Sequence, residues 1–274
     1  MAIESFLKVD KRDPDWSYSP SSYFGKQFKV IDANCLQIAP GTEDLMVLRL
    51  SPTENDMLCK HLQVIGRSNS RLDLYIICDG DVNLQQVFVY DVALEPYSIL
   101  NIGFFVKNGK LNKHIVEAEL AEGSVLNIFG LVENDIGGSS EVINKICHSE
   151  PSAESQQLIN CKAGKNSRTV FQGYVRVIEG MTDNFVTVAN SSIITEEGGQ
   201  AYSVPQMMID CGEVEASHSC AVGKFDEEAI WYLQSRGMSE EDAKELLIRT
   251  HQDYILNMIP HQEIQDELKE FFQN

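Results

Sequence analysis

From residue 46 to residue 223 the sequence repeats one texture: short β-rich runs broken by glycine turns, with no amphipathic helix between them. The runs include LMVLRL (45–50), LDLYIIC (72–78), QVFVYDV (86–92), ILNIGFFV (99–106), HIVEAEL (114–120), VLNIFGLV (125–132), RTVFQGYVRVI (168–178), NFVTVANSSII (184–194) and VEASHSCAV (214–222). Asp79-Gly80, Asn108-Gly109, Glu122-Gly123, Glu179-Gly180, Gly198-Gly199 and Cys211-Gly212 punctuate them, as turn-forming pairs do. The spacing is regular, 14 residues from Gly109 to Gly123 and 13 from Gly199 to Gly212. Without helical crossovers a doubly wound α/β fold is excluded. Two architectures remain, an antiparallel sandwich or barrel and a parallel β-helix. Runs such as ILNIGFFV and VLNIFGLV, apolar on both faces, lean toward stacked rungs, but periodicity alone leaves both open.

The flanks differ. Residues 1–45 carry Pro14, Pro20, Pro40 and the cluster SYSPSS (17–22) and read as a short, mostly irregular segment. Residues 224–274 read as a helical region. Asp226 is placed to cap a helix through EEAIWYLQSR, and Gly237 to end it. Ser239 opens a second helix as in a capping box, with Asp242 in place of Glu or Gln. Ala243, Leu246, Leu247, Thr250, Tyr254 and Met258 follow on one helix face. Ile264, Leu268, Phe271 and Phe272 mark a last short helix after Pro260.

Charge narrows the partners. The chain has 22 Lys+Arg against 41 Asp+Glu, a formal −19, which opposes binding to nucleic acid or anionic membrane. The start, MAIESFLKVDKRDPDW, lacks the pattern of a signal peptide. The longest apolar runs are strand-sized, short of the ~20 residues that span a bilayer. The expectation is a soluble, cytoplasmic protein with reduced thiols. Its seven scattered cysteines, Cys35, Cys59, Cys78, Cys147, Cys161, Cys211 and Cys220, do not form a disulfide framework. Cys35, Cys59 and Cys78 sit in strand-like contexts that favour core packing.

No Walker loop, nucleophile elbow, H-E-x-x-H, dinucleotide fingerprint or C-x-x-C pair is present. Potential ligands are densest in CGEVEASHSC, residues 211–220. On a strand, Val214, Ala216, His218, Cys220 and Val222 share one face, and Glu213, Glu215, Ser217 and Ser219 the other. His218 and Cys220 then lie about 7 Å apart at Cα, near enough to reach one metal. Cys211, at the preceding turn, can fold toward the same place. The same face also reads as a strand interior with one satisfied histidine, since cysteine is among the most buried residues. Cys147 and His148 form a second candidate pair, with Cys161 behind them.

Three stretches carry a family resemblance: EASHSCAVGKFDEEAIWYLQSRGMSEEDAKELL (215–247), GKNSRTVFQGYVRVIEG (164–180) and HIVEAELAEGSVLNIFGLVE (114–133). Together they resemble the SufB/SufD family of the SUF iron–sulfur cluster assembly system. The resemblance implies a mainly β chain, a right-handed parallel β-helix (46–223) followed by a C-terminal helical region (224–274). It also implies a scaffold role. Family members pair through their β-helices, and their helical regions dock a SufC-type ABC ATPase. An iron–sulfur cluster, [4Fe–4S] or [2Fe–2S], is built on the pair and passed to recipient apo-proteins. ATP hydrolysis belongs to the partner, so no enzymatic activity is expected here.

The chain departs from the family pattern. The usual N-terminal helical domain is absent or shrunken to residues 1–45. Asn190 stands where SufB carries its assembly cysteine, and Ser219 where SufB has glutamate; both departures resemble SufD. Of that site only His218 transfers. The expectation is a homodimeric scaffold in which Cys211, His218 and Cys220 hold the cluster, with a carboxylate from Glu213 or Glu215. Asp226, Glu227, Glu228, Trp231, Tyr232, Arg236 and Gly237 are expected to meet the ATPase. The alternatives are a SufD-like partner subunit that binds no cluster alone, and a β-helix enzyme acting on acidic polysaccharide, which the −19 charge opposes.

Overall fold

The computed structural model describes residues 30–50, 57–80 and 83–273. The first 29 residues of the expected N-terminal segment, and the side chain of Cys59, lie outside the described residues. The described strands are β1 (Val30–Ile38), β2 (Glu43–Leu50), β3 (Met57–Gly66), β4 (Arg71–Asp79), β5 (Gln85–Leu94), β6 (Ile99–Lys107) and β7 (Leu111–Leu120). They continue with β8 (Val125–Ile136), β9 (Ser139–His148), β10 (Glu154–Lys165), β11 (Arg168–Val177), β12 (Asn184–Ile194), β13 (Gln200–Ile209) and β14 (Val214–Lys224). Odd-numbered strands form one sheet in the order β1-β3-β5-β7-β9-β11-β13, even-numbered strands the other, β14-β12-β10-β8-β6-β4-β2. Neighbours pair in parallel. The result is a parallel β-solenoid of about six turns, and the antiparallel alternative falls.

Each turn of the solenoid is two strands and two corners. One corner repeats a residue with positive φ: Gly41, Asn69, Tyr97, Gly123, Ser152 and Asp183, 26 to 31 residues apart. That is about twice the 13–14-residue glycine spacing. Each of these residues donates its backbone N–H to the next corner up, Gly41 to Ser68, Asn69 to Pro96, Tyr97 to Glu122, and so on to Asp183 and Glu213. The left-handed conformation turns the N–H along the solenoid axis, and Gly41, Gly123, Asn69 and Asp183 are residue types that adopt it readily.

Alternate residues of each strand point inward and stack rung on rung, for example Leu72, Leu100, Leu126 and Ile76, Phe104. Polar residues that enter the stack are bonded inside it. Tyr90 Oη meets His114 Nδ1 at 2.9 Å, His114 Nε2 meets Asn112 Oδ1 at 3.1 Å, and Asn112 Nδ2 donates to Cys78 Sγ at 3.3 Å. Burial pushes the His114 imidazole down to about 3 and the Cys78 thiol up to about 12, so both stay neutral in the core. Cys78 packs as expected; Cys35 does not, because it lies exposed on the first strand.

After β14 come three helices, α1 (Glu227–Ser235), α2 (Glu240–Leu256) and α3 (Gln262–Gln273). Asp226 Oδ1 accepts from the N–H groups of Glu228 (2.9 Å) and Ala229 (3.4 Å), and Glu227 and Glu228 fill the first turn, where the helix dipole favours acids. Gly237, at φ 97°, ends α1. Ser239 Oγ accepts from Asp242 N–H, and the shorter Asp242 carboxylate takes the Ser239 hydroxyl. Asp226→Ala is expected to cost α1 about 1 kcal/mol, read as faster amide exchange over residues 227–232 with exchange in the solenoid unchanged.

α2 and α3 cover part of the outer face of the even-numbered sheet. Ile255, Leu256, Ile259, Ile264, Leu268 and Phe272 pack on Tyr75, Ile77, Phe105, Phe129 and Leu131. Of the face set by Ala243, Leu246, Leu247, Thr250, Tyr254 and Met258, Ala243 is buried and Leu247 half-buried, while the other four are exposed, Tyr254 62% accessible. The buried residues of α2 are Ala243, Gln252, Ile255 and Leu256. Gln252 turns inward because its Nε2 donates to the buried carboxylate of Glu133 at 2.8 Å, which rotates the apolar stripe outward.

Candidate functional site at the open end of the solenoid

The last rung has nothing stacked on it among the described residues. β13 and β14 are edge strands, and β14 is exposed from Glu215 to Lys224. The register fixes which side chains face the lumen. Ala216 follows Val186, His218 follows Val188, Cys220 follows Asn190 and Val222 follows Ser192, and all four preceding residues are buried. His218 and Cys220 therefore continue the inward stacks but stand exposed at their open end. From the facing sheet, Met207 follows Val175 and Ile209 follows Val177; both are partly buried against the core. Cys211 sits at the corner between β13 and β14, also partly buried, and its thiol donates to the Met181 carbonyl at 3.0 Å.

Beneath Cys220, Asn190 is nearly buried, its Nδ2 donating to Ile159 O at 2.6 Å and its Oδ1 accepting from Ser192 Oγ at 2.8 Å. Asn190 is thus fully engaged with the solenoid, and the first accessible thiol in this stack is Cys220. Glu215 pairs with Phe185, and Ser217 with Thr187, on the outer face; Glu213 lies at the corner, its backbone carbonyl accepting from Asp183 N–H. Among the described residues no three His, Cys, Asp or Glu side chains come together in a way that holds a metal ion. Strand alternation keeps Glu215 on the face opposite His218 and Cys220 within one chain, as the sequence pattern implies.

The second candidate pair is not a ligand pair. Burial pushes the His148 imidazole down, partly offset by its bond to Asn184. Both ring nitrogens are bonded, Nδ1 to Asn184 Oδ1 and Nε2 to Ser155 Oγ, each at 2.8 Å. Cys147 is one residue away on the opposite face, between Glu119 and Arg176; burial raises its thiol pKa. Cys161 is buried in the core, and burial pushes its thiol up to about 11. A neutral buried thiol is a poor ligand, because metals take the thiolate. Met207, on the same open end, was not singled out by the sequence; the 13-residue offset from Gly199 to Gly212 is the signal that sets the two terminal strands in successive positions on facing sheets.

The expected docking residues lie immediately after this rung. α1 has no buried residue and touches α2. Trp231 is 70% exposed and Tyr232 53%. The Arg236 guanidinium lies 5.2 Å from the Tyr232 ring centre, a cation–π distance. Trp231 and Tyr232 thus form an exposed aromatic pair on a helix with no fully buried residue. No helix of the described residues is long and apolar enough to cross a membrane.

An all-parallel β-solenoid with a helical C-terminal appendage is the class that the fold defines. The SufBD core domain of the SUF system for FeS cluster assembly matches residues 26–251, and the chain belongs to the SufBD family. It is similar to the ABCI7 protein of Arabidopsis thaliana chloroplasts, 24% identical over 212 residues that cover 76% of this chain and 44% of that one. It is 27% identical to the iron–sulfur cluster assembly protein SufD of Escherichia coli over 53% of this chain and 34% of SufD. A SufBD family protein of Mycobacterium tuberculosis is 29% identical over 53% of this chain and 39% of its own length. The chain thus spans less than half the length of these curated relatives.

Proposed function

We propose that this chain is a scaffold on which an iron–sulfur cluster is assembled and from which it passes to recipient apo-proteins. The observation that carries this reading is the uncovered terminal rung, with His218 and Cys220 side by side on its lumen face. A cluster needs more ligands than one chain brings together there. A second copy stacked on the open rung supplies the rest and satisfies the unpaired edges of β13 and β14, which are otherwise an association hazard. The working unit in this reading is a homodimer joined end to end, and the cluster is its cargo.

A SufC-type ABC ATPase supplies the ATP hydrolysis and docks on α1, through Trp231 and Tyr232 set among Asp226, Glu227, Glu228 and Arg236. Because Trp231 and Tyr232 are themselves exposed, Trp231→Ala/Tyr232→Ala leaves the fold intact. The expected result is at least about a tenfold loss of affinity for the ATPase by titration calorimetry, the scale expected for removing two aromatic anchors. Unchanged affinity in that variant would refute docking on α1.

A second reading is favoured by Asn190, which is committed to the core where an accessible thiol would be needed, and by the similarity to SufD. In it the chain is the non-cluster partner of a SufB-type subunit. Iron and acid-labile sulfide in the anaerobically isolated chain separate the two. A scaffold carries both alone; a SufD-like subunit carries them only when co-expressed with its partner.

A further inference from the structure

Away from the terminal rung, the outer face of the even-numbered sheet holds a groove of about 460 Å³ against the segment that joins α2 to α3. Its floor is a ladder of polar side chains, one per strand: Asp73, Asn101, Asn127, Gln156 and Thr187. Asn127 Nδ2 donates to Asn101 Oδ1 at 2.8 Å, and Asn101 Nδ2 to Asp73 Oδ1 at 2.6 Å. His261 Nε2 (3.0 Å) and Arg71 (3.5 Å) hold the Asp73 carboxylate. This end of the ladder is saturated. At the other end Asn127 Oδ1 and the exposed Gln156 amide have no protein partner among the described residues, and both line the groove.

Apolar walls flank the ladder. On one side Tyr75, Phe129, Leu158 and Ala189 run parallel to it, with Tyr254, Met258 and Pro260 as a lip. On the other stand Ile99, Val125 and Phe185, interrupted by exposed Glu154. Tyr75 is 1% exposed, lines the groove, and its hydroxyl has no hydrogen-bond partner. Tyr254 and Met258 are 62% and 49% exposed, so the lip is not closed by the chain itself.

We propose that this groove docks an extended, cation-bearing segment of a partner polypeptide. A carboxamide presents one acceptor and two donors, the complement of a peptide group, so a ladder of amides between apolar walls suits a peptide backbone with side chains to either side. Strands about 4.8 Å apart make the ladder from β4 to β12 about 19 Å long, the reach of about six extended residues. Among the described residues that line the groove, Glu154 is the carboxylate with no ion pair, and Glu215 lies one rung beyond Phe185. Arg71, the cation at the far end, is paired with Asp73. Positive side chains are therefore favoured toward β10 and β14. This inference does not depend on the cluster reading.

The test uses the full chain and fluorescein-labelled hexapeptides, one alternating Leu and Lys, the other Leu and Glu, followed by fluorescence anisotropy. Saturable binding of the Leu/Lys peptide is expected, with none of the Leu/Glu peptide. Asn127→Leu/Gln156→Leu is expected to weaken it at least about tenfold. If that variant misfolds, Tyr254→Ala/Met258→Ala, which alters only the exposed lip, is expected to weaken binding by a similar factor. Cys220→Ser is expected to bind as the parent chain does, which keeps this result independent of cluster assembly. Absence of saturable binding, equal binding of both peptides, or parent affinity in a folded groove variant overturns the proposal.

Discussion

Replacing Lys162 by methionine is expected to destabilise the chain by about 3–5 kcal/mol, the range for stranding one member of a buried ion pair. Lys162 Nζ lies 2.7 Å from Glu133 Oε2 and 2.9 Å from Asp135 Oδ1. The Glu133 side chain is 1% exposed and that of Lys162 12%. Burial alone lowers the lysine pKa, yet the two carboxylates outweigh it and hold the group above its ordinary value. The ammonium is therefore charged at every physiological pH, and this contribution is lost only as pH rises through the raised pKa. Glu133 also accepts from Gln252 of α2, and Asn160, two residues before Lys162, donates to the His251 carbonyl at 2.9 Å. The pair is thus the polar anchor of the helical cover. Lys162→Met/Glu133→Gln removes both charges and keeps an acceptor for Gln252. It is expected to recover most of the loss, to within about 1 kcal/mol of the parent, as removing both members of a buried pair commonly does. Denaturant unfolding with amide exchange over α2 and α3 reads both variants. A neutral single variant, or a double variant as unstable as the single, defeats this account.

That anchor was invisible in the sequence, and the reason is distance along the chain. Glu133 and Gln252 are 119 residues apart, and each reads alone as an ordinary surface polar residue. The same contact explains why most of the apolar stripe of α2 faces solvent, with only Ala243 of it buried. A periodic pattern locates a helix face but not which face meets the sheet, and here a buried carboxylate called for glutamine underneath. Strands with apolar interiors were legible. β1, in the segment read as irregular, β3, β9, β10 and β13 were not; in the last three the inward positions hold residues such as Ser140, Asn144, Gln157 and Ser203. These become strand residues only once stacked: Asn144 Nδ2 donates to Gln157 Oε1 at 3.0 Å, and Ser140 Oγ to Asn134 Oδ1 at 3.0 Å. Strand alternation did place His218 and Cys220 on one face. Whether that face is covered depends on there being no rung after β14, a property of the whole stack.

Cys220→Ser is expected to remove most of the cluster formed on anaerobic reconstitution with ferrous iron and sulfide, read by absorbance and by iron and sulfide per chain. The argument is one of access. Cluster iron takes thiolate, and the thiolate forms where solvent reaches the sulfur. Cys78 and Cys161 are buried with their thiols pushed up to about 12 and about 11, so neither ionises near neutral pH. Cys161→Ser is therefore expected to retain the cluster, and it is the control for a general loss of fold. Cys211→Ser should cost less than Cys220→Ser, because the Cys211 thiol is half-buried and already donates to Met181 O. His218→Ala, one stack along the same rung, should weaken assembly without abolishing it. Moving the thiol one rung inward, as in Asn190→Cys/Cys220→Ser, is expected not to restore assembly. The Asn190 position is 4% exposed and lies inside the solenoid, beneath residue 220. Full cluster loading on Cys220→Ser, with its oligomeric state unchanged by size-exclusion chromatography, removes Cys220 from the ligand set; no cluster on either the parent chain or the variant leaves the SufD-like reading in its place.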